Sequence, residues 1–294
     1  MGMGRSLYEA SATAKNLFHQ AEEVLAMPLC RLCFDGPSAD LTDTRIAQPA
    51  ILTVSYIIFQ LLKENGVTPT WVAGHSLGEY TALVAADALD FEDALRLVKR
   101  RAELMSSVPG EGGMVAVLNF PIVDLQEEVG KLKKEGVLEL ANHNSPAQIV
   151  VSGEKPLVRK LADTVKESKK GRAIMLEVSG AFHSPLMLPA AKQLRVELDR
   201  TAFHPLTVPL VANVTAELVT STEELPSLLE KQVYSPVLWE ESLRKLSSLG
   251  CDFYLEAGAK VLTGLVKKTI KGVTTHHVIE ADDLKKVLAF LKEV

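Results

Sequence analysis

Five residues constrain this chain more than any others. Gly74-His75-Ser76-Leu77-Gly78 follows the short apolar run Trp71-Val72-Ala73 and leads directly into a helical pattern that reaches about Ala86. A buried strand that ends at glycine and passes at once into a helix needs a sharp turn. G-x-S-x-G in that setting describes a nucleophile elbow. The flanking glycines are expected to remove Cβ atoms that would clash, and the turn lifts the Ser76 hydroxyl clear of the sheet. The following helix presents backbone N–H groups and the positive end of its dipole to a developing oxyanion, with the Leu77 N–H as the natural donor. The competing reading is a structural tight turn with an incidental serine.

The patterns on either side predict an α/β protein. Helices are expected over residues 7–26, Gln48–Lys63 and Phe91–Met105, the last capped by Asp90. After Pro109-Gly110-Glu111-Gly112-Gly113 the order changes to strand 114–119, helix 123–134, strands 137–142 and 148–152 around Asn144-Ser145-Pro146, helix 156–168 and strand 173–178. That β-α-β-β-α-β order is the ferredoxin-like unit. Helix 186–200, strand 208–213, helices 225–232 and 239–249, strand 253–256 and helix 261–268 then resume the alternation. The expected architecture is a mostly parallel α/β core, residues 1–111 and 180–294, interrupted by a ferredoxin-like subdomain, residues 112–179.

A serine nucleophile needs a base. His75 adjoins Ser76 in the turn, so its ring should point away. His19 lies on a helix face and His204 precedes Pro205 in a loop, so both are expected in solvent. His183, in Gly180-Ala181-Phe182-His183-Ser184-Pro185, sits in a loop between the insert and a helix, where site residues concentrate. Its rivals are His276 and His277, near the carboxyl end where a hydrolase keeps its histidine, with Asp252 as the acid.

The helix from Phe91 carries Phe91, Ala94, Leu95, Val98, Ala102 and Met105 on one stripe. Arg100 falls opposite that stripe and is expected in solvent. Arg101 falls at its edge and needs an anionic partner, because a lone buried guanidinium is costly. The partner is either a core carboxylate in a structural salt bridge or a ligand.

Composition excludes other classes. A net charge of −5 over 294 residues gives no basic face for nucleic acid. No apolar run reaches a membrane span and no signal peptide is visible. Met1-Gly2-Met3-Gly4-Arg5-Ser6 formally fits a myristoylation pattern that is short enough to arise by chance. Three cysteines, Cys30, Cys33 and Cys251, fit a reducing compartment. The Cys30/Cys33 pair lacks a second ligand pair for zinc, and is read as two half-buried thiols near a helix. A cytoplasmic monomer with no metal and no cofactor is expected.

The assembled segments resemble the malonyl-CoA:acyl-carrier-protein transacylases of fatty-acid synthesis over almost the whole chain. They are Gln48-Pro49-Ala50, Gly74 to Tyr80, Arg101, Asn144-Ser145-Pro146, Gly180 to Ser184 and Gln232-Val233-Tyr234-Ser235-Pro236-Val237-Leu238-Trp239. The resemblance implies a hydrolase-like α/β domain with a ferredoxin-like insert, and malonyl-CoA and acyl carrier protein as partners. It implies Ser76 as nucleophile, His183 as base and then acid, and Gln232 as orienting group through its backbone carbonyl. Arg101 would clamp the malonyl carboxylate, with Leu77, Phe182 and His75 beside it. The Phe182 ring leaves little room for an α-methyl branch.

Two departures accompany the resemblance. Family members open with a strand and a Phe-Pro-Gly-Gln-Gly loop whose glutamine supplies a second oxyanion donor. This sequence is expected to begin just after that loop. Removing one such donor typically costs about 2.7–4 kcal/mol. Glu256-Ala257-Gly258-Ala259-Lys260 stands where a Gly-Pro-Gly-Lys turn is usual. The alternatives are therefore a serine hydrolase or thioesterase with a carboxyl-terminal histidine, and a catalytically impaired module that binds carrier protein.

Overall fold

The computed structural model describes residues 2–37 and 39–293. Helices and strands are mixed throughout, as an α/β chain requires. The expected amino-terminal helix is two helices, α1 (Arg5–Ala10) and α2 (Ala12–Leu25). The break is Ser11, whose backbone is extended and whose Oγ accepts from the Ala14 N–H to cap α2. A serine that bonds the backbone in this way favours a helix start over a helix interior. The short α3 (Leu29–Phe34), absent from the sequence reading, holds Cys30 and Cys33. Burial, with Glu22 nearby, pushes both thiols up to about 12, so neither is a reactive thiolate.

The long α4 (Thr44–Glu64) starts four residues before the expected Gln48 because Asp43 caps it by accepting from the Arg45 N–H. By length and mean hydropathy, 1.4 over its most apolar window, it could cross a membrane, contrary to the sequence reading. In the fold, however, 61% of that window is buried inside the protein, and α4 is a core helix. It packs against α2, α5 (Gly78–Ala85) and α6 (Phe91–Ser106). α5 is buried on nearly every side, and α6 buries the stripe read from its periodicity. Asp90 precedes α6 in extended backbone but makes no side-chain cap.

The next segment folds as β1 (Gly112–Leu118), α7 (Ile122–Leu132), β2 (Leu138–Ser145), β3 (Gln148–Glu154), α8 (Lys155–Ser168) and β4 (Arg172–Met175). The strands form one antiparallel sheet in the order β2-β3-β1-β4. Alternation along β1 divides its two faces. Val115 and Val117 join Leu125, Val129, Leu157, Val158 and Leu161 in a core under the two helices. Met114 and Ala116 face the other way, with Ala141 and Val150, and Phe182 packs on them.

The chain continues through α9 (Leu188–Leu198), α10 (Leu225–Tyr234), α11 (Trp239–Ser248), β5 (Phe253–Ala257), α12 (Val261–Thr269), β6 (Thr274–Val278) and α13 (Ala281–Leu291). β6 and α13 were not read from the sequence. The parallel pairing occurs in pieces. β5 pairs β6 in parallel. The expected strands at 71–74 and 208–213 meet at one parallel bridge, Val72 to Leu210, because the chain turns at Gly74 two residues later. The turn after β5 is anchored: Ser55 Oγ of α4 donates to the Ala257 carbonyl at 3.0 Å, and the Gly258 N–H donates to Val278 O at 2.8 Å.

Gly153 marks the tightest approach within the antiparallel sheet. A Cβ there would lie 2.2 Å from the Val137 carbonyl oxygen and 2.8 Å from Leu138 Cα, both backbone atoms. Gly153→Ala must push β2 from β3, and overpacking of this kind costs about 1–3 kcal/mol. Urea denaturation of the variant is expected to show a lower midpoint; an unchanged midpoint would mean that the strands separate freely.

Candidate active site

The elbow forms because its first glycine has no alternative. A Cβ on Gly74 would sit 1.9 Å from the Gly78 carbonyl oxygen, so the strand end and the first turn of α5 can touch only at glycine. Gly78 differs from the sequence expectation: a Cβ there meets open space. Ser76 occupies left-handed backbone, φ +52°, which is sparsely populated for a side chain with a Cβ and marks strain held by its surroundings. Asn213 supplies that hold. Its Oδ1 accepts from the Ser76 N–H at 2.7 Å and its Nδ2 donates to the Gly74 carbonyl at 2.7 Å, bracketing the turn. Among the described residues the Leu77 N–H has no acceptor.

His183 is placed by the end of α10. The last carbonyls of a helix lack intrahelical partners, and Pro236 stops α10 from continuing. Two of those carbonyls take His183: Val233 O accepts its backbone N–H at 3.2 Å, and Gln232 O lies 2.7 Å from its ring Nδ1. A carbonyl only accepts, so Nδ1 carries the proton and Nε2 the lone pair. Nε2 lies 2.8 Å from Ser76 Oγ, which therefore donates to it. His183 too has left-handed backbone, φ +58°. Burial, then the charge of Arg101, pushes its pKa down to about 3, outweighing the carbonyl contact that favours the imidazolium. His183 is neutral at physiological pH and able to accept a proton.

Arg101 is 1% exposed. Its Nη1 donates to Gln48 Oε1 at 2.6 Å, and its Nη2 to Ser76 Oγ and Gln232 Oε1, each at 3.0 Å. Among the described residues no carboxylate lies within ion-pair distance and Nε has no acceptor. The Tyr80 ring stands 5.7 Å from the guanidinium carbon. The core salt bridge considered for Arg101 is thus absent, and the cation is held by neutral dipoles. Arg100 is half-exposed and pairs with Glu103.

Gln232 joins these groups. Its carbonyl holds His183, its Oε1 holds Arg101, and its Nε2 donates to Ser76 O at 2.8 Å and to Glu79 Oε2. Glu79 Oε1 accepts from the Asn213 N–H at 3.0 Å. His75 turns its ring to Asn144 Oδ1 on β2 at 2.8 Å and meets the Trp239 ring edge-on. Phe182 is half-buried between the main core and the inner face of the antiparallel sheet.

The structure brings Ser76, His183, Gln232, Arg101, Leu77 and His75 together, and sets Phe182 beside His183. It separates out His276 and His277, which lie on β6, where His276 clusters with the Phe253 and Phe290 rings. The hydrolase order with Asp252 therefore has no geometry behind it. Sequence reasoning assigned no role to Glu79, Asn213, Gln48 or Asn144. The available signal was a carboxylate inside an otherwise apolar buried helix, and an asparagine at the end of an apolar run.

The chain is similar to known proteins over almost its whole length. A model described as the acyl transferase domain matches residues 1–283. The malonyl CoA-acyl carrier protein transacylase of Bacillus subtilis strain 168 is 44% identical, covering 100% of this chain and 94% of its own. That of Escherichia coli K12 is 35% identical, covering 93% and 90%. Among solved structures, the malonyl CoA-acyl carrier protein transacylase of Clostridium perfringens superposes with a TM-score of 0.95 at 38% identity, over 100% of this chain and 93% of that one. A malonyl-transacylase solved in complex with its type II PKS acyl-carrier protein gives 0.95 at 34% identity, over 99% and 95%. Matched over nearly its whole length and sharing up to 44% identity with these relatives, the chain belongs to the acyl transferase domain family.

Proposed function

We propose that this chain transfers the malonyl group of malonyl-CoA to the phosphopantetheine thiol of acyl carrier protein, through a Ser76 acyl-enzyme, for fatty-acid synthesis in the cytoplasm. The observation that carries the reading is Arg101: a buried cation lacking a carboxylate, 3.0 Å from the nucleophile. A malonyl thioester brings the missing carboxylate, separated from the reacting carbonyl by one methylene. A guanidinium grips a carboxylate through two charge-assisted bonds.

In the first half-reaction Ser76 Oγ attacks the thioester carbonyl while its proton passes to His183 Nε2. The oxyanion of the tetrahedral intermediate receives the Leu77 N–H. Collapse breaks the C–S bond, and the leaving CoA sulfur takes the proton from His183. In the second half-reaction His183 removes the proton from the pantetheine thiol, the sulfur attacks the acyl-serine, and the Ser76 oxygen leaves with that proton. A carbonyl rather than a carboxylate orients His183. That suits exchange between thioesters, because thiolates are good leaving groups and demand little of the acid. Phe182 borders the acyl group and narrows the space for a branch, a discrimination of roughly 1–3 kcal/mol.

We also assign residues 112–179 to a ferredoxin-like subdomain and residues 1–111 and 180–294 to a hydrolase-like core. The strand order β2-β3-β1-β4 and the separate core under α7 and α8 support the first. The elbow and the parallel bridge at Val72 support the second.

Mixing the enzyme with malonyl-CoA is expected to add one malonyl mass to the intact chain, lost in Ser76→Ala and discharged by carrier protein. Release of free malonate without handover would reject transfer. Arg101→Ala removes charge-assisted bonds worth about 1.5–3 kcal/mol, so malonyl transfer should fall about 10- to 100-fold while acetyl transfer holds or rises. Equal loss for both acyl groups would remove Arg101 from the carboxylate site. His183 should keep its neutral, Nδ1-protonated ring in nitrogen NMR spectra well below pH 6, since its pKa lies near 3; an imidazolium signal at about pH 6 would contradict this.

A further inference from the structure

Glu79 stands in the first turn of α5, three residues beyond Ser76, and is 2% exposed. Among the described residues it has no cation within ion-pair distance. Both of its oxygens are nevertheless committed. Oε1 accepts from the Asn213 backbone N–H at 3.0 Å, and Oε2 from Gln232 Nε2. Those two residues in turn hold Ser76, His183 and Arg101. Asn213 brackets the elbow at Ser76 N and Gly74 O. Gln232 holds His183 by its carbonyl, Arg101 by its Oε1 and Ser76 O by its Nε2.

The Gln232 amide is oriented by this arrangement. Its NH₂ faces two acceptors, Ser76 O and Glu79, so its Oε1 must face Arg101. With the amide reversed, three repulsive contacts would arise together. An aliphatic side chain at position 79 could fill the volume but could not accept from two separate donors. A buried carboxylate is costly to keep charged, and a fold that retains one for packing alone would do better with an apolar residue.

We infer that Glu79 is a positioning residue for acyl transfer: its carboxylate clamps Asn213 and Gln232, and through them sets the Ser76 elbow, the His183 ring and the Arg101 guanidinium in one register. The inference rests on the transacylase reading of the same site. An ionised carboxylate accepts fully at both oxygens. Protonation puts a hydrogen on one of them and weakens its acceptance from the donor it faces. Burial pushes the Glu79 carboxyl up to about 7, against the bonds from Asn213 and Gln232 and the charge of Arg101. Arg101 on α6 and the neighbouring Tyr80 are the titratable groups that feel its charge. His183, which titrates near 3, cannot produce a limb in the neutral range.

The test is single-turnover acylation of Ser76 by malonyl-CoA across pH, in wild type and Glu79→Gln, with circular dichroism and thermal melting to establish that the variant is folded. In wild type the rate constant should rise with pH through a limb near 7. Glu79→Gln should lose the limb and acylate about 10- to 100-fold more slowly at its plateau, because one buried donor then faces an amide NH₂. The KM for malonyl-CoA should change far less than kcat. A folded variant that acylates at the wild-type rate, or that keeps the limb, overturns the inference and leaves the transacylase reading intact. If Glu79→Gln does not fold, the wild-type profile decides: a limb near 7 supports the role, and a level rate from about pH 6 to about pH 8 overturns it. Failure of wild type to take up any malonyl group would overturn the transacylase reading and the inference with it.

Discussion

A guanidinium almost wholly removed from water, with amide and hydroxyl oxygens as its partners, dominates the energetics of this site. Moving a cation into a protein interior carries a penalty of several kcal/mol, and neutral acceptors recover only part of it. The balance must come from packing around it, and the core is built accordingly. α6 carries Arg101 among apolar neighbours on both sides of its stripe, α4 brings Gln48 to it, and α10 brings Gln232. The Glu79 carboxylate is joined to Arg101 by hydrogen bonds through the Gln232 amide, with no direct ion pair between them. The result is a positive centre that is structurally fixed and electrostatically incomplete.

Rigidity at that centre depends on strain held elsewhere. Ser76 and His183 both sit in left-handed backbone, at a cost of order 1–3 kcal/mol each. Neither conformation is explained by its own turn. Asn213, from another part of the chain, grips both ends of the elbow. The open carbonyls at the end of α10 grip His183 at its backbone and its ring. The serine–histidine contact at 2.8 Å therefore joins two separately anchored loops.

Much of this was legible in the residues. The elbow followed from glycine at the strand end. The difference between Arg100 and Arg101 followed from helical geometry alone, which sends one to solvent and the other into the core. The β-α-β-β-α-β order followed from alternating periodicity between glycine-rich joints. What periodicity could not supply was partner identity. It asked for an anion beside Arg101 and the fold provided amides. It treated Gly78 as sterically required, like Gly74, although only Gly74 touches backbone. It read one helix where Ser11 makes two, because the apolar stripe continues in phase across the cap. It missed β6, a five-residue strand with only one buried residue, and it missed α13 although Leu284, Val287, Leu288 and Leu291 make a helical stripe on the core.

The antiparallel sheet contributes to the site by the face it turns away from its own helices. β2 is stitched to the segment after α10: His143 N donates to Val237 O and Val237 N to Ala141 O, each at 2.9 Å. The same strand gives Asn144 to His75, one residue before Ser76. Phe182 packs on Met114, Ala116, Ala141 and Val150, and is followed by the histidine that α10 holds. A shift of that sheet against the core would pull on His75 at one end and on Phe182 at the other, and so on both sides of the Ser76–His183 pair. Backbone bonds are short-ranged and directional, so the two at Val237 resist such a shift more firmly than apolar contact alone. The sheet is thereby a fixed wall beside the Ser76–His183 pair, and the space it leaves beside Phe182 is set by side-chain volume.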